Sequence, residues 1–110
     1  MAETYQVTIT EPARKDLEEI LDYILDHDGQ QRAEAVRQAV MDAIYGLKEM
    51  PERHGLVKEV AGKTNVVYRR VAVKKKYKVI YRAEEPERNV FVIRILHVKR
   101  GPGFVRKALE

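Results

Sequence analysis

The sequence predicts an α+β domain of order β-α-α-β-β-β, in which a helical hairpin packs on one face of a small, mainly antiparallel sheet. Three observations predict it. Tyr5, Val7 and Ile9 alternate with polar neighbours; two stretches with apolar spacings of three and four follow, parted only by Asp28-Gly29; and three β-branched or aromatic runs close the chain between polar turns. A chain of 110 residues can build one core but not two, so residues 1–110 are expected to form a single domain.

The first strand ends at Thr10, a plausible N-cap with Glu11 and Pro12 in the first helical turn. Ala13, Leu17, Ile20, Leu21, Ile24 and Leu25 then form an apolar stripe down to Asp28 and Gly29. The other side of this helix carries Asp16, Glu18, Glu19, Asp22 and Asp26, with Glu11/Lys15, Arg14/Glu18 and Lys15/Glu19 as i,i+4 pairs, and reads as a solvated face. Ala33, Val36, Val40, Ala43, Ile44 and Leu47 set the stripe of a second helix, which stops before Met50-Pro51. A link this short makes the two helices an antiparallel hairpin. Residues 51–65 hold Pro and two Gly with no sustained period, and are expected to be a loop with one short strand around Leu56 to Val60.

Val66 to Val73 is the next strand, Lys74-Lys75-Lys76 a polar turn, and Tyr77 to Arg82 the third strand, with Tyr77, Val79 and Tyr81 toward the helices. After a turn at residues 84–89, Val90 to Val98 is apolar on both parities except for Arg94 and His97, which predicts a central strand covered on both faces. Lys78, Ile80 and Arg82 fall on the side away from the helices. Cations beside an apolar residue there lead to the expectation of an uncovered interaction face.

Charge divides the chain. Residues 58–110 contain fifteen Lys/Arg and five Glu, a balance of +10, whereas the first 57 residues come to −6. Positive potential concentrated on one surface attracts a polyanion, either a phosphate backbone or an acidic protein segment. With no cysteine there is no disulfide framework and no thiolate metal site. The start, Met1-Ala2-Glu3-Thr4-Tyr5, lacks a leader pattern, and no apolar run approaches the roughly 20 residues that span a bilayer. The expectation is a soluble cytoplasmic protein with no membrane contact. His27 and His54 have no partner at metal-ligand spacing, so no metal and no cofactor are expected, and the glycines form no phosphate loop.

Five strings occur in order: residues 14–24 (RKDLEEILDYI), Leu47 to Pro51, Tyr68-Arg69-Arg70, residues 77–82 (YKVIYR) and residues 95–100 (ILHVKR). On the β-α-α-β-β-β frame this set resembles the RelE/ParE superfamily of toxins from bacterial type II toxin-antitoxin modules. The resemblance spans about residues 5 to 105. The segments Asp16-Leu17 to Tyr23-Ile24 and Leu96-His97 to Lys99-Arg100 look like the ParE branch. It implies a plasmid-stabilising toxin that a cognate antitoxin neutralises with an acidic or amphipathic segment, and an assembly that is either a homodimer or a toxin-antitoxin hetero-oligomer. ParE-like toxins poison DNA gyrase by protein contact. RelE-like toxins instead cut ribosome-bound messenger RNA without a metal.

Such cleavage needs a base, an acid and cations clustered around the phosphate. On the RelE-like pattern Arg69 and Lys78 match cationic positions and Lys99 or Arg100 matches the basic residue after the last strand, with His97 as the one group that titrates near neutrality. Val71 stands at another cationic position, and Phe104 is the nearest aromatic to a missing C-terminal tyrosine. The set is incomplete, which favours the ParE-like reading. Arg69, Arg70, Lys78, Ile80, Arg82, Arg94, Lys99 and Arg100 are then expected to contact the antitoxin or the target.

Overall fold

The computed structural model describes residues 4–110, so Met1, Ala2 and Glu3, part of the start that lacks a leader pattern, lie outside the described residues. β1 (Gln6–Ile9) leads into α1 (Glu11–Asp28) and α2 (Gln30–Gly46); β2 (Arg69–Val73), β3 (Tyr77–Glu84) and β4 (Asn89–His97) follow, and α3 (Pro102–Ala108) closes the chain. The sheet order is β1-β4-β3-β2, parallel between β1 and β4 and antiparallel elsewhere. β4 is central, as its two apolar parities require.

One residue, Gly29, separates α1 from α2. Its φ of 91° and ψ of 173° belong to a region open almost only to glycine, and its N–H returns to the carbonyls of Ile24 and Leu25. The hairpin lays Ala13 and Ile24 of α1 and Val36, Val40 and Ile44 of α2 onto Tyr77, Val79, Tyr81, Val90, Val92 and Ile95 of the sheet. Leu25, expected in the apolar stripe, is instead exposed. Thr10 takes the N-cap position of α1, its carbonyl accepting from the Arg14 N–H at 2.9 Å, but its side chain makes no capping hydrogen bond. Its hydroxyl donates to the Val92 carbonyl at 2.7 Å, fastening the helix start to β4, and of the i,i+4 pairs expected on α1 only Arg14/Glu18 is an ion pair among the described residues, with Glu11 also on Arg14.

Val92 and Ile95 reach the same core although they differ in parity. The register passes from Tyr81↔Val92 to Ile80↔Arg94, so Ile93 is an extra residue, and the bulge returns the end of β4 to the helix side. No pattern in the run from Val90 to Val98 signals this, since both parities are apolar.

The face away from the helices is not open, contrary to expectation. Ile80 and Leu96 pack there with Val57 of the preceding loop and Val105 of α3, supported by Val60, Tyr68 and Leu109. Ile80 is 0 % and Lys78 5 % exposed. A sheet face bearing Ile80 and Leu96 would lose stability if left in water, and an amphipathic C-terminal turn lies within reach of it. Residues 51–65 form a 3₁₀ turn at Pro51–Arg53 and a single bridge from Leu56 to Arg69, without a strand; β2 begins at Arg69 and not at Val66.

Candidate functional site

A cleft of about 620 Å³ opens where the second half of α1, the β2–β3 turn, the end of β4 and the start of α3 meet. Its floor is Ile20, Ile24 and Ile95. Glu19, Tyr23 and Asp28 of α1, with Arg32 of α2, form one wall; Lys75 and Lys76 of the turn, with Lys99 and Arg100 after β4, form the other. Local hydrogen bonds fix the basic wall. The Val98 N–H donates to the Lys76 carbonyl at 2.8 Å and the Lys99 N–H donates to His97 Nδ1 at 3.0 Å. Arg100 lies over the Phe104 ring, 4.5 Å from its centroid.

His97 lines this cleft, its ring edge-on to that of Tyr77 at 5.5 Å between centroids. Burial and then the charges of Lys99, Lys76 and Arg100 push its pKa below the ordinary value, so it is neutral at pH 7. With Nδ1 accepting from Lys99, the proton sits on Nε2 and the ring is a donor. Burial raises the Tyr77 phenol, which also remains a donor.

Behind the cleft Asp16 locks the bulge. One of its oxygens accepts from the Ile95 N–H at 2.9 Å and from Arg94 Nε at 2.7 Å, while the other accepts from Arg94 Nη2 at 2.9 Å. β1 pairs with β4 only as far as Val92, and the Ile95 N–H beyond that pairing is satisfied by a carboxylate that also holds Arg94 through two hydrogen bonds. Asp16 is therefore not part of a solvated face, whereas Asp22 and Asp26 are exposed as expected. Asp16 and Tyr23 escape sequence reading for different reasons. Nothing local links Asp16 to a residue 78 positions away, but Tyr23 signals itself as an aromatic lying off the apolar stripe of its helix.

The sequence-predicted residues do not gather. His97, Lys99 and Arg100 share the cleft, and Arg94 lies at its back, held by Asp16. Lys78 is buried under the second core with its ammonium 3.7 Å from Glu59. Arg69 donates to the His54 carbonyl at 2.7 Å beside the loop, and neither Arg69 nor Lys78 lines the cleft. Arg82 is half-buried between Glu84 and the Phe91 ring. Arg70 is exposed on the outer strand, and Ile80 is core. The expected placement of Lys78 and Ile80 on an open face is therefore corrected. Among the described residues no group of three or more His, Asp or Glu stands in metal-binding proximity, and no helix is long and apolar enough to cross a membrane.

Known proteins place the chain. A chain of the chromosomal ParDE toxin-antitoxin system from P. aeruginosa superposes with a TM-score of 0.71 at 16% identity, over 87% of this chain and 98% of that one. A chain of the RelBE2 toxin-antitoxin complex of Mycobacterium tuberculosis gives 0.56 at 24% identity, over 86% and 98%. Both share the fold. No curated protein matches in sequence. Residues 7–102 match the family described as ParE toxin of type II toxin-antitoxin system, parDE, a stretch running from β1 through the cleft to the start of α3, and the chain belongs to that family of toxins.

Proposed function

We propose that this toxin acts in the cytoplasm by protein contact on DNA gyrase, without catalysis, as a single folded unit that a cognate antitoxin neutralises in a hetero-oligomer, the arrangement of a plasmid-stabilising module. One observation supports contact over cleavage. The groups that a metal-free ribonuclease would need together are held apart, Lys78 beneath the second core against Glu59, Arg69 on the His54 carbonyl, and His97, Lys99 and Arg100 in the cleft. A phosphorane cannot be stabilised by a cation sealed from it.

The same placements narrow the contact residues. Arg70, Lys99 and Arg100 are exposed and available to the antitoxin or the target; Arg69, Arg82 and Arg94 are engaged within the fold, and Lys78 and Ile80 are buried. The structural relatives named above come from toxin-antitoxin systems, which agrees with a protein partner. Two assays on the purified chain decide between the mechanisms. Gyrase supercoiling should fail in its presence and return on adding antitoxin, while a translation extract should keep its messenger at full length. Shortened messenger with supercoiling intact would replace this reading by ribosome-dependent RNA cleavage.

A further inference from the structure

The cleft has two unlike walls, and that asymmetry describes a ligand. Lys75, Lys76, Lys99 and Arg100 stand on one side, and among the described residues none of them is paired with a carboxylate. The opposite wall carries Tyr23, 64 % exposed, with Glu19 and Asp28. Tyr23 stacks on His27 at 4.0 Å between centroids, so its ring is held as a platform and is not a loose side chain.

An acidic peptide would bring carboxylates to both walls and meet repulsion at Glu19 and Asp28, two charges against the single Arg32 at the start of α2. A nucleic-acid strand differs. Its charge runs along the backbone only, and its bases offer π-faces and amino donors on the other side. We propose that the cleft holds a single strand of nucleic acid without cutting it, with phosphates along Lys75, Lys76, Lys99 and Arg100 and a base stacked on Tyr23. Glu19 and Asp28 accept from base amino groups. His97 Nε2–H adds a neutral donor to the basic wall. Asp16, already neutralised by Arg94, does not oppose the phosphates. For a toxin working on an enzyme that handles DNA, this adds a direct contact with the nucleic acid to the contact with protein.

Anisotropy of a labelled single-stranded oligonucleotide of about 12 nucleotides, titrated with the full chain, tests this. Affinity should fall with salt at a logarithmic slope of roughly −2 to −3, as three or four phosphates each contribute about 0.7. The double variant Lys76→Ala/Lys99→Ala should flatten the slope by about 1.4. Tyr23→Ala should weaken binding about tenfold with the slope unchanged, and Lys107→Ala, on the exposed side of α3, should change neither beyond a general charge effect. The oligonucleotide should be recovered at full length. Absence of binding at about 50 mM salt, wild-type binding by both cleft variants, displacement by a glutamate-rich peptide of equal length and concentration, or a cleaved oligonucleotide would each overturn the proposal. Gyrase inhibition persisting in a chain that fails this titration would remove the nucleic-acid cleft and leave the proposed function intact.

Discussion

Asp16 serves three donors with two oxygens, and one of the donors is the backbone N–H of Ile95, beyond the end of the β1–β4 pairing. Asp16→Ala strands that N–H and the Arg94 guanidinium together, so it should lower unfolding free energy by about 2 to 3 kcal/mol in urea titration. Asp16→Asn keeps an acceptor for Ile95 and should cost about half as much. His97 gives a pH signature. An unfolded histidine titrates near 6.5, whereas burial and three neighbouring cations hold folded His97 lower. Between those two values the unfolded chain binds the extra proton, so stability present above pH 6.5 is lost as pH falls through it and levels off below the folded value. His97→Gln should therefore flatten the melting temperature between about pH 7 and pH 5; His54, lowered first by burial and then by Arg53 and Arg69, leaves part of the slope in place. Lys78 teaches the limit of reading residues singly. Its position on β3 was legible from alternation, but its burial with the ammonium 3.7 Å from Glu59 brings in a loop that no local pattern connects to it.

At the scale of elements, Gly29 decides the helical hairpin. A Cβ there would touch nothing within 4 Å, so the cost of Gly29→Ala is purely one of backbone conformation, about 1 to 3 kcal/mol, readable as a shifted urea midpoint. α3 was the element that sequence periodicity did not announce. It has seven residues with one fully buried side chain, Val105, too short a span for an apolar stripe to register. Its energetic weight is nonetheless real. Val105→Ala should cost about 2 kcal/mol, and removing residues 101–110 should expose Ile80 and Leu96 and raise binding of a hydrophobic dye. The strands were legible because β-branched runs and polar turns bracket them, and the early start expected for β2 at Val66 reflects propensity without pairing. Val66 and Val67 are exposed and have no ladder partner in the sheet.

The whole molecule carries its charge unevenly, and five of the fifteen Lys/Arg of its basic half line one cleft. If an antitoxin's acidic segment is drawn to that field, its association rate should fall about tenfold or more between about 50 and 500 mM salt, measured by stopped flow. Saturating antitoxin should also raise the melting temperature, since a partner that binds only the folded chain stabilises it by mass action. By itself the sequence determined the order of elements from β1 to β4, the hairpin, the central place of β4 and the family, because each rests on periodicity, breakers or short ordered strings within a few residues of one another. Only the tertiary structure decided that the second sheet face is closed, that Asp16 holds a bulge in β4, and that Lys75, Lys76, His97, Lys99 and Tyr23 confront one another across a cleft. These depend on contacts between residues far apart in the chain, whose free energy comes from burying surfaces together and leaves no trace in the local pattern of either partner.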